Sequence, residues 1–255
     1  MEINESHFNI MNWGNLTLRQ YKDISKILES DKTETQKARE MLRYLYGDRY
    51  DGMSDLLVLS LFNREFGFLL EMPTDNQLSR IKKIDTFKNN NINYNIDSLS
   101  VVQFIDICNY AKVEDKIDRI AATLSALFIP DGKEYNDGYS PTDVINDMWE
   151  IPAMQAFAIY GHIYNDMLKQ LREGFPTVFG YDDDNDDIQE ERGYEESALK
   201  PYGFLPYIMA VAKETNEKYT DIYKWAIPHF CYVVSYLIAK AKEDEKQRRK
   251  WKKTH

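Results

Sequence analysis

Alternating aspartates at positions 182, 184 and 186 come closest in this chain to the spacing of a metal site. Carboxylates at alternate positions supply the first oxygen ligands of a calcium loop. However, Asp187 stands where that loop needs glycine for its sharp turn, and Gly193 stands where it needs a bidentate acid. We therefore interpret the run Asp182–Asp187 as a solvated acidic loop.

Catalytic constellations are the next possibility, and the sequence offers none. Its four histidines are dispersed along the chain: His7, His162, His229 and His255. We interpret none of them as having a second metal ligand at helical spacing. His229 lies in an apolar helical run, where a core histidine is the expected role. The eleven glycines form no phosphate loop, dinucleotide motif or nucleophile elbow. The sequence predicts a protein that is not an enzyme and has no cofactor and no metal. An enzyme with a site assembled from distant residues is the alternative.

A basic segment near the C-terminus carries the clearest charge signal. The chain has a net charge of −10, which disfavours nucleic-acid binding by most of its surface. In contrast, Lys246–Lys253 is basic and includes Arg248, Arg249, Lys250 and Trp251. The favoured interpretation is a solubilising helix end, whose positive charge suits the helix dipole. The alternatives are binding to an acidic protein surface, more readily than to DNA, and contact with the acidic loop of the same or a neighbouring subunit.

Two cysteines and one apolar stretch indicate the compartment. Cys108 and Cys231 lie among apolar residues, where thiols in a reducing cytosol are expected, with a disulfide as the lesser alternative. The first ten residues carry acids where a signal peptide would be basic. Trp225–Ala239 is interrupted by Pro228 and is too short to span a bilayer. We expect no membrane association and a buried helix there.

A repeated segment indicates how the chain is built. Residues 16–24 read LTLRQYKDI and residues 99–107 read LSVVQFIDI. In each copy a hydroxyl residue precedes a glutamine by three positions, which predicts a capping box at a helix start: Thr17 with Gln20, and Ser100 with Gln103. Ala38 and Met41 fall opposite Ala121 and Leu124 at the same offset. Duplicated helical units follow from this match, with a chance echo as the alternative.

Periodicity and turn residues divide the chain into five segments. The prediction is a mainly α protein with two related helical units, one small β-hairpin and a C-terminal helical segment. The expected segments are an N-terminal helical unit over 1–76, a hairpin over 77–98, a second helical unit over 99–175, an acidic linker over 176–199, and C-terminal helices with a basic tail over 200–255. We expect Leu16–Leu70 and Leu99–Leu171 to pack as related bundles.

The order of these motifs resembles a family of phage proteins. The hairpin ending in INYNIDSLSVVQFIDI, then IAATLSALFIPDGKEYNDGYSPTDV and MWEIPAMQAFAIYGHIYNDML resemble tail assembly chaperones and virion-module proteins of tailed bacteriophages. The resemblance covers residues 16–172 and extends faintly over 220–245. It implies a non-enzymatic protein that holds apolar stretches of the tape-measure protein during tail building in the host cytoplasm. A permanent virion component, such as a neck, ring or adaptor protein, is the alternative.

Large aromatic side chains are the expected contact residues. Partner helices would be bound through apolar helix faces, and we expect a homo-oligomer or a complex with other tail or neck proteins. The alternative is that these side chains form a closed core. The candidates are Trp149, Phe157, Tyr160, Tyr164, Trp225, Phe230, Tyr232 and Tyr236.

Overall fold

The computed structural model describes residues 15–70, 86–88, 90–92, 95–179 and 203–254. The fold is mainly α-helical, as the sequence predicts. The helices are α1 Leu18–Glu29, α2 Glu34–Tyr46, α3 Asp55–Phe66, α4 Val101–Tyr110, α5 Lys116–Leu127, α6 Pro141–Met148, α7 Ala153–Gly161, α8 Leu168–Gly174, α9 Pro176–Phe179, α10 Leu205–Thr215, α11 Tyr219–Ile222 and α12 Ile227–Thr254. Short 3-10 turns, Gly47–Tyr50 and Gly67–Leu70, follow α2 and α3, and a π-helical turn, His162–Met167, joins α7 to α8.

The predicted hairpin is present and belongs to a small sheet. Strand β1 (Thr86–Phe87) pairs antiparallel with β2 (Asn90–Ile92). A third strand, β3 (Phe128–Pro130), pairs antiparallel with β2, with Ile92 opposite Phe128. The apolar pattern predicts that the helix before Pro130 continues to Ile129, but α5 ends at Leu127 because the next three residues pair with β2. Ile96 lies in a turn instead of continuing the strand.

The chain forms two compact units, and each is built from two separate stretches. Unit 1 comprises residues 1–92 and 113–160, and unit 2 comprises 93–112 and 161–255. These boundaries differ from the expected segments, because residues 99–175 are shared between the units. The expected bundles Leu16–Leu70 and Leu99–Leu171 are therefore not the compact units. The greater part of the predicted acidic linker, with Asp182, Asp184 and Asp186, lies outside the described residues.

Unit 1 has a core formed by α1, α2 and α3 and a second buried layer at α5. Capping boxes begin α1 and α2, and Gly47 ends α2 at a φ of +71°, which glycine adopts without strain. Every residue from Ile120 to Phe128 is buried. Each large apolar side chain buried in this way contributes about 1.5–3 kcal/mol of transfer free energy. The core side chains of α1 to α3 include Ile24, Ala38, Met41, Leu42, Val58, Leu61 and Phe66.

Unit 2 is built around α4, α10 and the first half of α12. The Phe104 ring lies edge-on to Phe179 and Phe204, with centroids 5.8 and 5.4 Å away. Such T-shaped pairs add stability beyond the area that they bury. The fully buried side chains of unit 2 include Ile107, Ile208, Val211, Ile227, Phe230 and Cys231.

Candidate interaction surface

The start of α1 is held by four backbone amides, each with a partner. The Thr17 amide donates to Gln20 Oε1 and the Gln20 amide donates to Thr17 Oγ1, which completes the predicted capping box. The next two donors reach across unit 1: Leu18 N–H to the Ile151 carbonyl (2.8 Å) and Arg19 N–H to the Trp149 carbonyl (3.0 Å). The amides that a helix start leaves unpaired are therefore satisfied.

The start of α4 in unit 2 repeats this arrangement bond for bond. Ser100 and Gln103 form the capping box. Val101 N–H donates to the Trp225 carbonyl (2.9 Å), and Val102 N–H donates to the Tyr223 carbonyl (3.1 Å). We call each arrangement a bridge joint: the first links Thr17 with Pro152 and the second links Ser100 with Ala226, each through an isolated antiparallel β-bridge.

The partner segment of each bridge joint also has a counterpart in the other joint. Its offset differs from the 83 residues that separate Thr17 from Ser100. Residues 147–153 read DMWEIPA and residues 221–227 read DIYKWAI. The Ala153 amide donates to the Leu16 carbonyl (2.6 Å), and the Ile227 amide donates to the Leu99 carbonyl (2.7 Å). Asp147 and Asp221 are the one identical pair among these seven positions, so the backbone hydrogen bonds, and not the sequence, reveal this match at an offset of 74. The two copies are therefore interleaved along the chain. The first segments of both copies, 16–24 and 99–107, precede the second segments of both copies, 147–153 and 221–227.

Capping boxes alone do not mark the duplication. Thr33 with Gln36, and Ser140 with Asp143, form the same local motif at α2 and α6. The isolated bridges that the described residues contain are those at Thr17 and Ser100. The bridge, a contact between distant segments, is what distinguishes the duplicated joints from ordinary helix caps.

Trp149 is part of the first bridge joint. The Lys22 ammonium lies 5.2 Å from the Trp149 ring centroid, and the Arg19 guanidinium lies 6.0 Å from it. Arg19 also pairs with Glu150 at 3.2 Å, and Lys22 pairs with Asp118. The ring is half-buried under these cations. Its position indicates that Trp149 fastens α1 to the turn after α6.

Phe157 and Phe230 belong to the cores, not to an exposed face. Phe230 is fully buried, and Phe157 is buried with its ring edge-on to Tyr21 at 5.2 Å. The sequence predicted contact roles for them because an aromatic at helical spacing gives no sign of which face turns inward. Tyr160 and Tyr164 are half-buried.

The exposed aromatic side chains of the predicted set lie on α12. The Tyr232 side chain is 70% exposed and Tyr236 is 55% exposed, one helical turn apart. Lys240 follows one turn later, lies over the Tyr236 ring and pairs with Glu214 of α10 at 2.9 Å. Trp225 is half-buried, and its indole N–H donates to Glu217. The core role expected for His229 is wrong, because this side chain is exposed and its ring lies against Trp225, with centroids 4.5 Å apart. Tyr232 and Tyr236 therefore present an apolar ridge whose far end is fixed by an ion pair.

A groove beside α10 and α11 was not predicted. It has a volume of about 420 Å³ and is lined by Met209, Ala212, Lys213, Glu217, Lys218, Tyr219 and Thr220. Met209 is 52% exposed and Tyr219 is 51% exposed. The hydrophobic periodicity predicts that Met209 and Tyr219 lie in helices, but it does not show that their side chains are exposed. We call the groove and the α12 ridge together the unit 2 surface.

The basic tail extends from unit 2 as a continuous helix. α12 has 28 residues, which corresponds to about 42 Å. Every residue from Ala239 to Lys252 is exposed, including Arg248, Arg249, Lys250 and Trp251. Arg249 pairs with Glu245 one turn earlier. A helical segment exposed on all sides gains little from packing, so its basic side chains remain accessible to a partner.

The two cysteine thiols and one histidine pair are further polar groups that could take part in chemistry. Cys108 and Cys231 are free thiols, and burial raises the pKa of Cys108 to about 11 and of Cys231 to about 12. Thiols with such values are poor nucleophiles at neutral pH. His162 Nδ1 lies 2.8 Å from Asp166 Oδ2, a pair one helical turn apart that the sequence reasoning missed. In the part of the chain that the structure describes, no group of three metal-binding side chains occurs.

Comparisons of the chain with protein-family models, with curated proteins and with solved structures find no match. Among the described residues, no helix is long and apolar enough to cross a membrane.

Proposed function

We propose that this protein is a non-enzymatic protein-binding component of tailed-phage morphogenesis, acting in the manner of the tail assembly chaperones that residues 16–172 resemble. The unit 2 surface is the observation that supports this proposal. Tyr232, Tyr236, Met209 and Tyr219 are each more than half exposed. Aromatic residues and methionine are enriched where proteins bind each other.

The ridge and the groove suit an amphipathic helix as ligand. Such a helix presents apolar side chains three and four positions apart, which match the one-turn spacing of Tyr232 and Tyr236. The flexible Met209 side chain adapts to varied apolar partners. A client with repeated apolar helical stretches, such as a tape-measure protein, would provide this ligand.

Co-expression of the full chain with a tape-measure protein of a tailed phage tests the proposal. We expect a complex in which Tyr232→Ser combined with Tyr236→Ser weakens binding about tenfold or more, because each exposed aromatic anchor contributes about 1–2 kcal/mol. Leu56→Ser is the matched control, because Leu56 is 83% exposed on unit 1. Equal binding by the double variant and the control would contradict the proposal.

Mass spectrometry of purified mature particles distinguishes a transient chaperone from a permanent component. A chaperone is absent from the particle. A neck, ring or adaptor protein is present in stoichiometric amount, and that result would replace the chaperone role with the virion role.

A further inference from the structure

We propose that the basic tail of α12, residues 246–253, binds the negatively charged body of a second copy of this chain. The tail contains six basic residues and no acid, so the net charge of −10 leaves −16 on the other 247 residues. The inference deepens the proposed function by naming one partner of the same unit.

The geometry of α12 makes the tail available to another molecule. The helix is continuous from Ile227 to Thr254, and a continuous helix cannot fold back on the unit from which it extends. Its last half-buried residue is Ile238, so the tail begins about 12 Å further along the axis. That distance exceeds the Debye length at physiological ionic strength, about 8 Å, so salt largely screens the attraction between the tail and the body of its own unit.

The composition of the tail favours a protein surface over nucleic acid. Trp251 is 64% exposed and has Arg248 and Arg249 within one helical turn. Tryptophan and arginine are the residue types that contribute most at protein interfaces. One short segment supplies few phosphate contacts, and the charge of the body repels a polyanion.

A tail that binds the body of the next copy makes a heterologous contact, since two different surfaces meet. Contacts of this kind repeat, and they close into a ring or continue as an open chain. The proposal therefore predicts self-association at low salt, into a dimer where two copies exchange tails reciprocally and into a ring or an open chain otherwise.

Sedimentation velocity of the full chain tests this prediction. The tail variant combines Arg248→Glu, Arg249→Glu and Lys250→Glu, and the control combines Lys26→Glu, Lys116→Glu and Lys169→Glu, which changes the net charge equally at exposed sites outside the tail. We expect the wild type and the control to associate in about 50 mM NaCl and to dissociate about tenfold more readily in about 500 mM NaCl. The tail variant should be monomeric in both.

Mixing separates tail-to-body from tail-to-tail association. The body of the tail variant can accept a wild-type tail but cannot extend the assembly, so the labelled variant should join and shorten wild-type assemblies. Failure to join would overturn the proposal, as would a wild type that is monomeric in low salt or a tail variant that associates like it.

Binding of a duplex oligonucleotide to the wild type and to the tail variant is the last measurement. Tail-dependent binding of the duplex without self-association would assign the tail to nucleic acid and overturn the proposal. A wild type that does not self-associate in low salt but still binds the tape-measure partner would refute this inference alone, because that binding depends on Tyr232 and Tyr236.

Discussion

The two bridge joints share their backbone hydrogen bonds but not the side chains around them. In unit 1, Trp149 lies under Arg19 and Lys22, whereas Tyr223 occupies its position in unit 2. Ala156 in α7 corresponds to Phe230 in α12, and both are fully buried. One backbone arrangement therefore accepts different side chains, because the hydrogen bonds involve only main-chain atoms and the two cap side chains.

The helices that precede the second strands differ more. The nine residues Ile120–Phe128, which run from α5 into β3, are all buried, whereas α10 exposes Leu205, Tyr207 and Met209. α5 leads through β3 and a long loop to α6, whereas a short turn with Asn216 in a left-handed conformation joins α10 to α11. The difference between these helices is that α10 leaves apolar side chains at the surface of unit 2, where α5 buries the corresponding stretch in unit 1.

Among the variants that test this comparison, Phe230→Ala should change the free energy of unfolding most. Phe230→Ala removes a fully buried ring from unit 2, and we expect a loss of about 3–5 kcal/mol in the free energy of unfolding, because the cavity does not close completely. Urea denaturation measures it. Tyr232→Ala, two residues away and exposed, is the control and should change stability by less than about 0.5 kcal/mol. A loss for Phe230→Ala no larger than that of the control would show that Phe230 does not support the core.

Removing the cap hydroxyls should have the next largest effect. Thr17→Ala and Ser100→Ala should each cost about 1 kcal/mol, because each leaves a helix amide without its acceptor. Thr33→Ala is the matched control: it removes the same box from α2, where no isolated bridge adjoins it.

Thermal unfolding with hydrogen exchange measures the cap effects. We expect faster exchange at Leu18 in Thr17→Ala and at Val101 in Ser100→Ala, since cap and bridge share one helix start. Unchanged exchange at these amides in both variants would separate the caps from the bridges.

These caps also show what the sequence could reveal. Thr17 and Ser100 were found because a capping box is local, with its two partners three residues apart. The matching carbonyls of Trp149 and Tyr223 lie more than one hundred residues from their amide partners in chain order, and no local pattern connects them. The inward positions of Phe157 and Phe230 were missed for the same reason, because burial depends on which distant helix covers a face.

Replacing one residue of the second bridge by its counterpart in the first should have a smaller effect on stability, and the change should be stabilising. Pro152 in the first bridge corresponds to Ala226 in the second, and the bridge hydrogen bonds use the amides of Ile227, Val101 and Val102. Ala226→Pro should therefore fit and stabilise the protein by about 0.4–1 kcal/mol by restricting the unfolded chain. Calorimetry measures the change, and Ala239→Pro in the exposed helix interior should destabilise instead. Equal destabilisation by both would show that the bridges are not equivalent.

The smallest expected effect concerns how the preceding helices begin. The Asp115 carboxylate caps α5 by accepting from the amides of Asp118 (2.8 Å) and Ile117 (2.9 Å), whereas Phe204 at the start of α10 provides no side-chain cap. The hydrogen bond from the Asp118 amide is the main cause that holds the pKa of Asp115 below its usual value. A lowered folded-state pKa means that the stabilisation is complete above the unfolded value, about 3.9, and is lost as the pH falls through the folded value.

Asp115→Asn keeps a cap acceptor but cannot titrate, so it isolates the charge. We expect it to lose only a few tenths of a kcal/mol at pH 7, because asparagine caps nearly as well and only the attraction of the carboxylate to the helix dipole disappears. As the pH falls from about 4 through the lowered folded-state pKa of Asp115, the difference from the wild type should shrink, since the unfolded carboxylate and then the folded one become protonated. Urea titrations at several pH values measure this difference. A gap that stays constant from pH 7 to pH 3 would mean that the cap acts through shape and hydrogen bonding alone, and that its charge does not distinguish the start of α5 from that of α10.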